Sequence, residues 1–138
     1  MLLSLLLCSC LIYINGIDLL HLEASNFDLV LASSKYAAVL FYDKSATGVD
    51  LIKNWENASI LINELHDDAT MAKIDGTDSE LKELIDAYGI SVPSIRVFRR
   101  SIMGDYRGPS SGGNAKEIAD YIMEDAMVSY FSFTIILN

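Results

Sequence analysis

Six consecutive apolar residues, Ala37 to Tyr42 (AAVLFY), constrain the fold of this chain more than any other feature. Polar residues bound the run on both sides, so it predicts a short strand covered on both faces. Strands of that kind belong to parallel sheets between helices. The flanking sequence supplies the cover. From Val49 to Leu65 the apolar positions Leu51, Ile52, Trp55, Ala58, Leu61, Ile62 and Leu65 recur in steps of three and four, a helical stripe. Leu19 to Leu22 suits a first strand, and Ser25 an N-cap opening a short helix through Leu31. Met71 to Asp75 alternates as a strand. Thr77 or Asp78 caps a helix with the stripe Leu81, Leu84, Ile85 and Tyr88, which Gly89 ends as a left-handed cap. Ser94 to Phe98 alternates with period two, and Met103 to Tyr106 can pair with it as a hairpin. Gly108 to Gly113 is a turn cluster before a last helix over Ala115 to Met123. The expected fold class is α/β, a mixed central β-sheet flanked by helices.

The 138 residues are one domain's length, and the first sixteen stand apart from it. Met1 to Ile14 is apolar apart from Ser4 and Ser9, carries no charge and leads to Gly16. Residues 1–16 therefore read as a cleaved signal peptide, too short to span a bilayer, which needs roughly 20 apolar residues. Both cysteines, Cys8 and Cys10, lie inside it, so cleavage would leave a thiol-free chain. The domain proper is 17–124, and 125–138 is an apolar tail. Met127 to Leu137 (MVSYFSFTIIL) has the composition of an aggregation-prone strand and is too short for a membrane span, so no membrane association is expected of it. It could pack on the domain, pair with a partner or belong to a larger chain. The net charge of −9 argues against nucleic acid, whose phosphates need Lys and Arg.

Five segments then follow one another at telling distances. They are Asn26-Phe27, Val39 to Tyr42, Ala72 to Thr77 (AKIDGT), Tyr88 to Ile95 (YGISVPSI) and Tyr106 to Pro109 (YRGP). Together they resemble a thioredoxin-fold domain of the protein disulfide isomerase family, over about Ile17 to Glu124. In that family a W-C-G-H-C-K segment follows F-Y. Here Phe41-Tyr42 leads into Asp43-Lys44-Ser45-Ala46-Thr47-Gly48-Val49-Asp50. Read without a gap, Ala46 and Val49 hold the cysteine positions; read against Trp55, Ser45 and Gly48 do. Neither reading supplies the thiolate that disulfide exchange needs. Leu40 stands where active members keep a buried acid, and Ser110 where they keep an arginine. The resemblance further implies that Pro93 follows a cis bond and that Val92-Pro93 borders a groove for extended polypeptide.

Other motifs carry less. Gly108-Pro109-Ser110-Ser111-Gly112 matches a hydrolase elbow, but His21 and His66 both precede it. His66-Asp67-Asp68 lacks partners at ligand spacing, and the acids from Asp75 to Glu80 suit a helix N-terminus better than a calcium loop. No metal or cofactor is expected. Trp55, Tyr36, Tyr42 and Tyr88 read as core rather than pocket. Asn57-Ala58-Ser59 is an N-glycosylation pattern inside an expected helix. The expectation is a redox-inactive domain of the endoplasmic reticulum lumen, or a secreted one, that binds unfolded or partner polypeptides during folding. The alternatives are an accessory fragment of a larger disulfide isomerase with cysteines elsewhere, and a degenerate copy without a client.

Overall fold

The structure, a computed structural model, describes residues 17–62, 65, 68–109 and 114–137, with the side chains of 133–137 excepted. Residues 1–16 with both cysteines, expected to be a signal peptide, as well as His66 and Asp67 and Ser110 to Gly113, lie outside these residues. The elements run β1 (Leu19–Leu22), α1 (Phe27–Ser33), β2 (Tyr36–Tyr42), α2 (Ala46–Leu61), β3 (Ala69–Asp75), a single 3-10 turn (Ser79–Leu81), α3 (Lys82–Tyr88), β4 (Ser94–Arg99), β5 (Ile102–Asp105) and α4 (Ala115–Leu137).

The sheet order is β1-β3-β2-β4-β5. Strands β1, β3 and β2 are parallel, while β4 runs antiparallel to β2 and β5 to β4. The apolar run is the central strand, and Ala37 through Phe41 are fully covered. Alternation splits it between two cores. Tyr36, Ala38 and Leu40 join Leu51 and Trp55 of α2, and Ile62 just beyond it, with Ile118, Ile122 and Ala126 of α4. Ala37, Val39 and Phe41 join Phe27 and Leu31 of α1 with Leu81, Ile90 and Phe98 on the other face. Trp55 anchors the first core, and its Nε1 donates to the Ala72 carbonyl of β3 at 2.8 Å. Phe27 meets Phe98 edge-on, with centroids 5.7 Å apart, in the second.

Local signals explain most element ends. Gly89 closes α3 at φ 64, in the left-handed region. Of the two candidate caps, Asp78 accepts from Glu80 N at 3.0 Å, ahead of the 3-10 turn. Ser25 is not the cap of α1. Asn26 occupies that position, and its Oδ1 is spent on Glu23 N at 2.7 Å, so the helix starts without a side-chain cap.

Helix α4 differs most from its sequence reading, which ended it at Met123. It continues to Leu137. Asn114 opens it by accepting from Glu117 N at 2.9 Å. No Gly or Pro interrupts it, and Asp125 pins its middle to the sheet. The Asp125 carboxylate accepts from Tyr36 Oη and from Arg99 Nη2, each at 2.8 Å. Ser129 accepts from Arg99 Nε at 2.7 Å one turn later. These contacts hold residues 125–129 on the domain, so the strand-like composition of the tail does not become a strand. Among the described residues no helix is long and apolar enough to cross a membrane.

Candidate functional site

The parallel strands β1, β3 and β2 all end at one pole, where ligand sites gather in open α/β sheets. There β2 turns through Asp43 and Lys44 into the N-terminus of α2, and the loop after β3 meets the turn before β4. Ser45 is the N-cap of α2, its Oγ accepting from Gly48 N at 3.1 Å. Asp43 Oδ1 accepts from both Ser45 N at 3.0 Å and Ser45 Oγ at 2.5 Å. Polar groups of the chain itself thus close the start of the helix.

The four positions singled out by the two readings separate here. Ala46 and Val49 are exposed on the first helical turn, Val49 at 54%. Ser45 is exposed as the cap, whereas Gly48 is buried against Asp43. A Cβ on Gly48 would stand 2.5 Å from the Asp43 carbonyl oxygen and closer still to Oδ1. The sequence reading missed Asp43. Its signal was the D-x-S spacing of an Asx turn into a helix cap. Substituting Gly48 with Ala is expected to cost about 1–3 kcal/mol through this overlap, read as a shift in the urea midpoint. The double variant with Asp43→Gly should recover part of that loss; full stability of the single variant would contradict the overlap.

On the other side of the pole, the Val92-Pro93 bond is cis. Val92 packs on Gly76, where an added Cβ would lie 2.7 Å from Val92 Cγ1. Gly76 N donates to the Tyr42 carbonyl at 2.8 Å, tying this turn to the end of β2. The Ser94 hydroxyl donates to the Ser91 carbonyl and tightens the turn. So the fold brings Ser45 to Val49 and Val92-Pro93 to one pole, both next to the end of β2.

A polar cluster that the sequence did not reveal lies beside them. His21 Nε2 is 3.1 Å from Tyr42 Oη. Burial, and then the Asp75 charge, push the Tyr42 hydroxyl above the usual phenol range. The Asp75 carboxyl is held below the usual carboxylate range by the hydroxyl and amide of Thr77, both donating to its Oδ1. Leu40, at the position of the family's buried acid, is fully buried. Lys73, opposite it in register, pairs instead with Glu56 of α2 at 2.6 Å. Trp55 and Tyr36 are core as expected, while Tyr42 is half-buried and Tyr88 is exposed at the edge of the second core. Asn57 lies exposed on α2, away from the pole. Ser59 of its acceptor pattern is buried and donates to the Glu56 carbonyl at 2.6 Å. Among the described residues no three His, Cys, Asp or Glu side chains stand together as metal ligands would.

No family model matches the chain. Protein disulfide isomerase-like 1-2 of Oryza sativa subsp. japonica is 30% identical over 105 residues, 75% of this chain and 20% of the rice protein. Human ERp44 is 30% identical, with a TM-score of 0.64 over 77% of this chain and 32% of its own. Oxidised thioredoxin from Plasmodium falciparum, 16% identical, shares the fold at a TM-score of 0.59 over 79% of this chain and 99% of thioredoxin. The chain spans about a fifth of the rice protein and a third of ERp44. With the sheet order and these relatives in agreement, the chain is a thioredoxin-fold domain similar to those of the protein disulfide isomerase family, with no cysteine at the start of its second helix.

Proposed function

We propose that this domain is redox-inactive and holds unfolded or partner polypeptides in the lumen of the endoplasmic reticulum. The observation that carries the reading is the segment Asp43 to Asp50, which has no sulfur in either register. A hydroxyl or a methyl group there cannot attack a disulfide, since exchange proceeds through a thiolate and a mixed disulfide. What remains is a recognition surface. Exposed Val49 and half-buried Val92 offer apolar contact at the pole, beside the Val92-Pro93 turn.

One preparation tests both halves. The purified protein should not accelerate insulin reduction by dithiothreitol, and it should bind reduced, carboxymethylated α-lactalbumin. Val49→Asp should weaken that binding at least fivefold, because a charge replaces apolar contact at an exposed site. Catalysis above background refutes the first half. Undiminished binding by the folded variant refutes the second.

The lumenal assignment rests on the apolar leader and on the kinship with disulfide isomerases. Mass spectrometry of protein made in a secretory host should find an N-terminus at or near Ile17. Intact Met1 would place the cysteines back in the chain and overturn both the location and the thiol-free argument. A second reading is an accessory piece of a larger isomerase with catalytic cysteines in another domain. The 20% share of the rice relative that this chain spans favours it. A longer transcript with a C-x-x-C segment would decide for it.

A further inference from the structure

Helix α2 carries the triplet Asn57-Ala58-Ser59, and no other asparagine of the chain heads an N-x-S/T pattern. The fold treats the two ends of the triplet oppositely. Asn57 is exposed, as the attachment point of a bulky, solvated sugar has to be. Ser59 is 5% exposed, and its hydroxyl is spent on the Glu56 carbonyl at 2.6 Å. Ala58 between them lies fully buried in the first core. Residues two apart on a helix do not face each other. The standing helix therefore does not present the Asn57 amide and the Ser59 hydroxyl to one enzyme.

The order of the elements along the chain opens an earlier window. Trp55 and Ala58 share their core with Met71 of β3, Val97 of β4 and Ile118 and Ile122 of α4. The Trp55 hydrogen bond also ends on β3, at Ala72. All of these partners follow Asn57 in the sequence. Helix α4 begins about 60 residues after it, about 3–12 s of synthesis. Until then α2 has only β1, α1 and β2 to pack on, and a 16-residue helix without its packed face is marginal in water.

We infer that Asn57 is an N-glycosylation site, loaded on the nascent chain before β3, β4 and α4 close over α2, and then shut by the fold. This rests on the lumenal reading above, because the oligosaccharide donor is presented in that lumen. The donor is an oligosaccharide linked to a lipid pyrophosphate. The Asn57 amide nitrogen attacks C1 of its first sugar. A C1–N bond forms, the C1–O bond to phosphate breaks, the lipid pyrophosphate leaves with the electron pair, and one amide proton is lost to a base of the transferase. The finished glycan stands on the solvent side of α2, where Asn57 is exposed.

The full chain made in a eukaryotic secretory host tests this, read by mass spectrometry of the N-terminus and of the Asn57 peptide. The expected result is one glycan on most chains, whose removal by peptide N-glycosidase leaves Asp in place of Asn57. Asn57→Gln and Ser59→Ala should each lower occupancy more than tenfold. Bare Asn57 in chains that begin near Ile17 overturns the inference and leaves the lumenal reading standing. Bare Asn57 in chains with an intact Met1 overturns both. A glycan that survives Asn57→Gln also overturns the inference. Closure by the fold is read on unglycosylated protein from the bacterial cytosol, offered folded to solubilised transferase and lipid-linked donor. The parent should be modified at least tenfold more slowly than Asp125→Ala, a change remote from the triplet that lets the domain open more often. Equal rates would show that the fold does not shut the site.

Discussion

Trp55→Ala is expected to lower stability by about 3–5 kcal/mol, the range for deleting a fully buried large aromatic side chain. Trp55 is fully enclosed and fills the space between α2 and the sheet. Its ring meets Tyr106 edge-on at 6.4 Å, and its Nε1 holds the Ala72 carbonyl. Alanine leaves a cavity and an acceptor without this donor, and neither collapses cheaply in a packed core. Unfolding by urea would be followed by circular dichroism, since Trp55 is the sole tryptophan and its loss removes the fluorescence signal. Trp55→Phe separates the two contributions. It keeps most of the ring, and its cost of about 1–2 kcal/mol would report mainly the lost hydrogen bond. A loss below 1 kcal/mol for Trp55→Ala would mean that the two layers do not depend on this side chain.

Asp125→Ala is expected to cost about 2–3 kcal/mol. The carboxylate accepts from a tyrosine hydroxyl and a guanidinium, and removing it strands the buried hydroxyl while the guanidinium can turn to water. Tyr36 is 3% exposed and cannot turn its hydroxyl to water. Its hydroxyl is pushed far above the usual phenol range, first by burial and then by the Asp125 charge, so it stays a donor across the accessible pH range. The Arg99 side chain is 39% exposed, which keeps the ion-pair share small and leaves the larger share with Tyr36. Two comparisons check the account. Tyr36→Phe removes the stranded hydroxyl, so adding Asp125→Ala to it should cost less than Asp125→Ala alone. A chain stopped after Glu124 loses Asp125, buried Ala126 and Ser129 together, and should be less stable than the point variant. If the shortened chain unfolds at the same urea concentration as the parent, residues 125–129 contribute nothing to the fold.

That second comparison marks where sequence reading stopped. Central strand β2 was legible because six apolar residues in a row leave few ways to be buried. Gly89 was legible because few other residues sit easily at positive φ. The ladder β4–β5 followed from period-two alternation. The end of α4 was not legible, because a run such as MVSYFSFTIIL reads as a strand by composition and its helical form depends on Arg99 and Tyr36, which lie far back in the chain. Likewise Ser25 fits a cap rule on its own, but the backbone amide of Glu23 takes the Asn26 side chain and sets the helix start. At the candidate site, the absence of sulfur could be read directly. The pole that joins Ser45 to Val92 through Tyr42 and Gly76 could be expected only from resemblance, since these residues are separated in sequence and meet only when the strands align. Asp43 was missed for a simpler reason: its D-x-S spacing signals a turn, but not that the turn packs on Gly48.

The contact between Gly48 and Asp43 also sets the order in which substitutions could bring sulfur to the start of α2. A side chain at position 48 collides with the backbone of Asp43 as the turn is now drawn. A cysteine arriving there first would weaken the fold before it did any chemistry, and selection would meet the cost before the benefit. A change at Asp43 that reshapes the turn has to come earlier, although on its own it removes two hydrogen bonds from the helix cap. Both first steps lead downhill. The pair at Ala46 and Val49 faces solvent and carries no such barrier, so sulfur would enter more readily there, and the present glycine acts as a ratchet on the other pair.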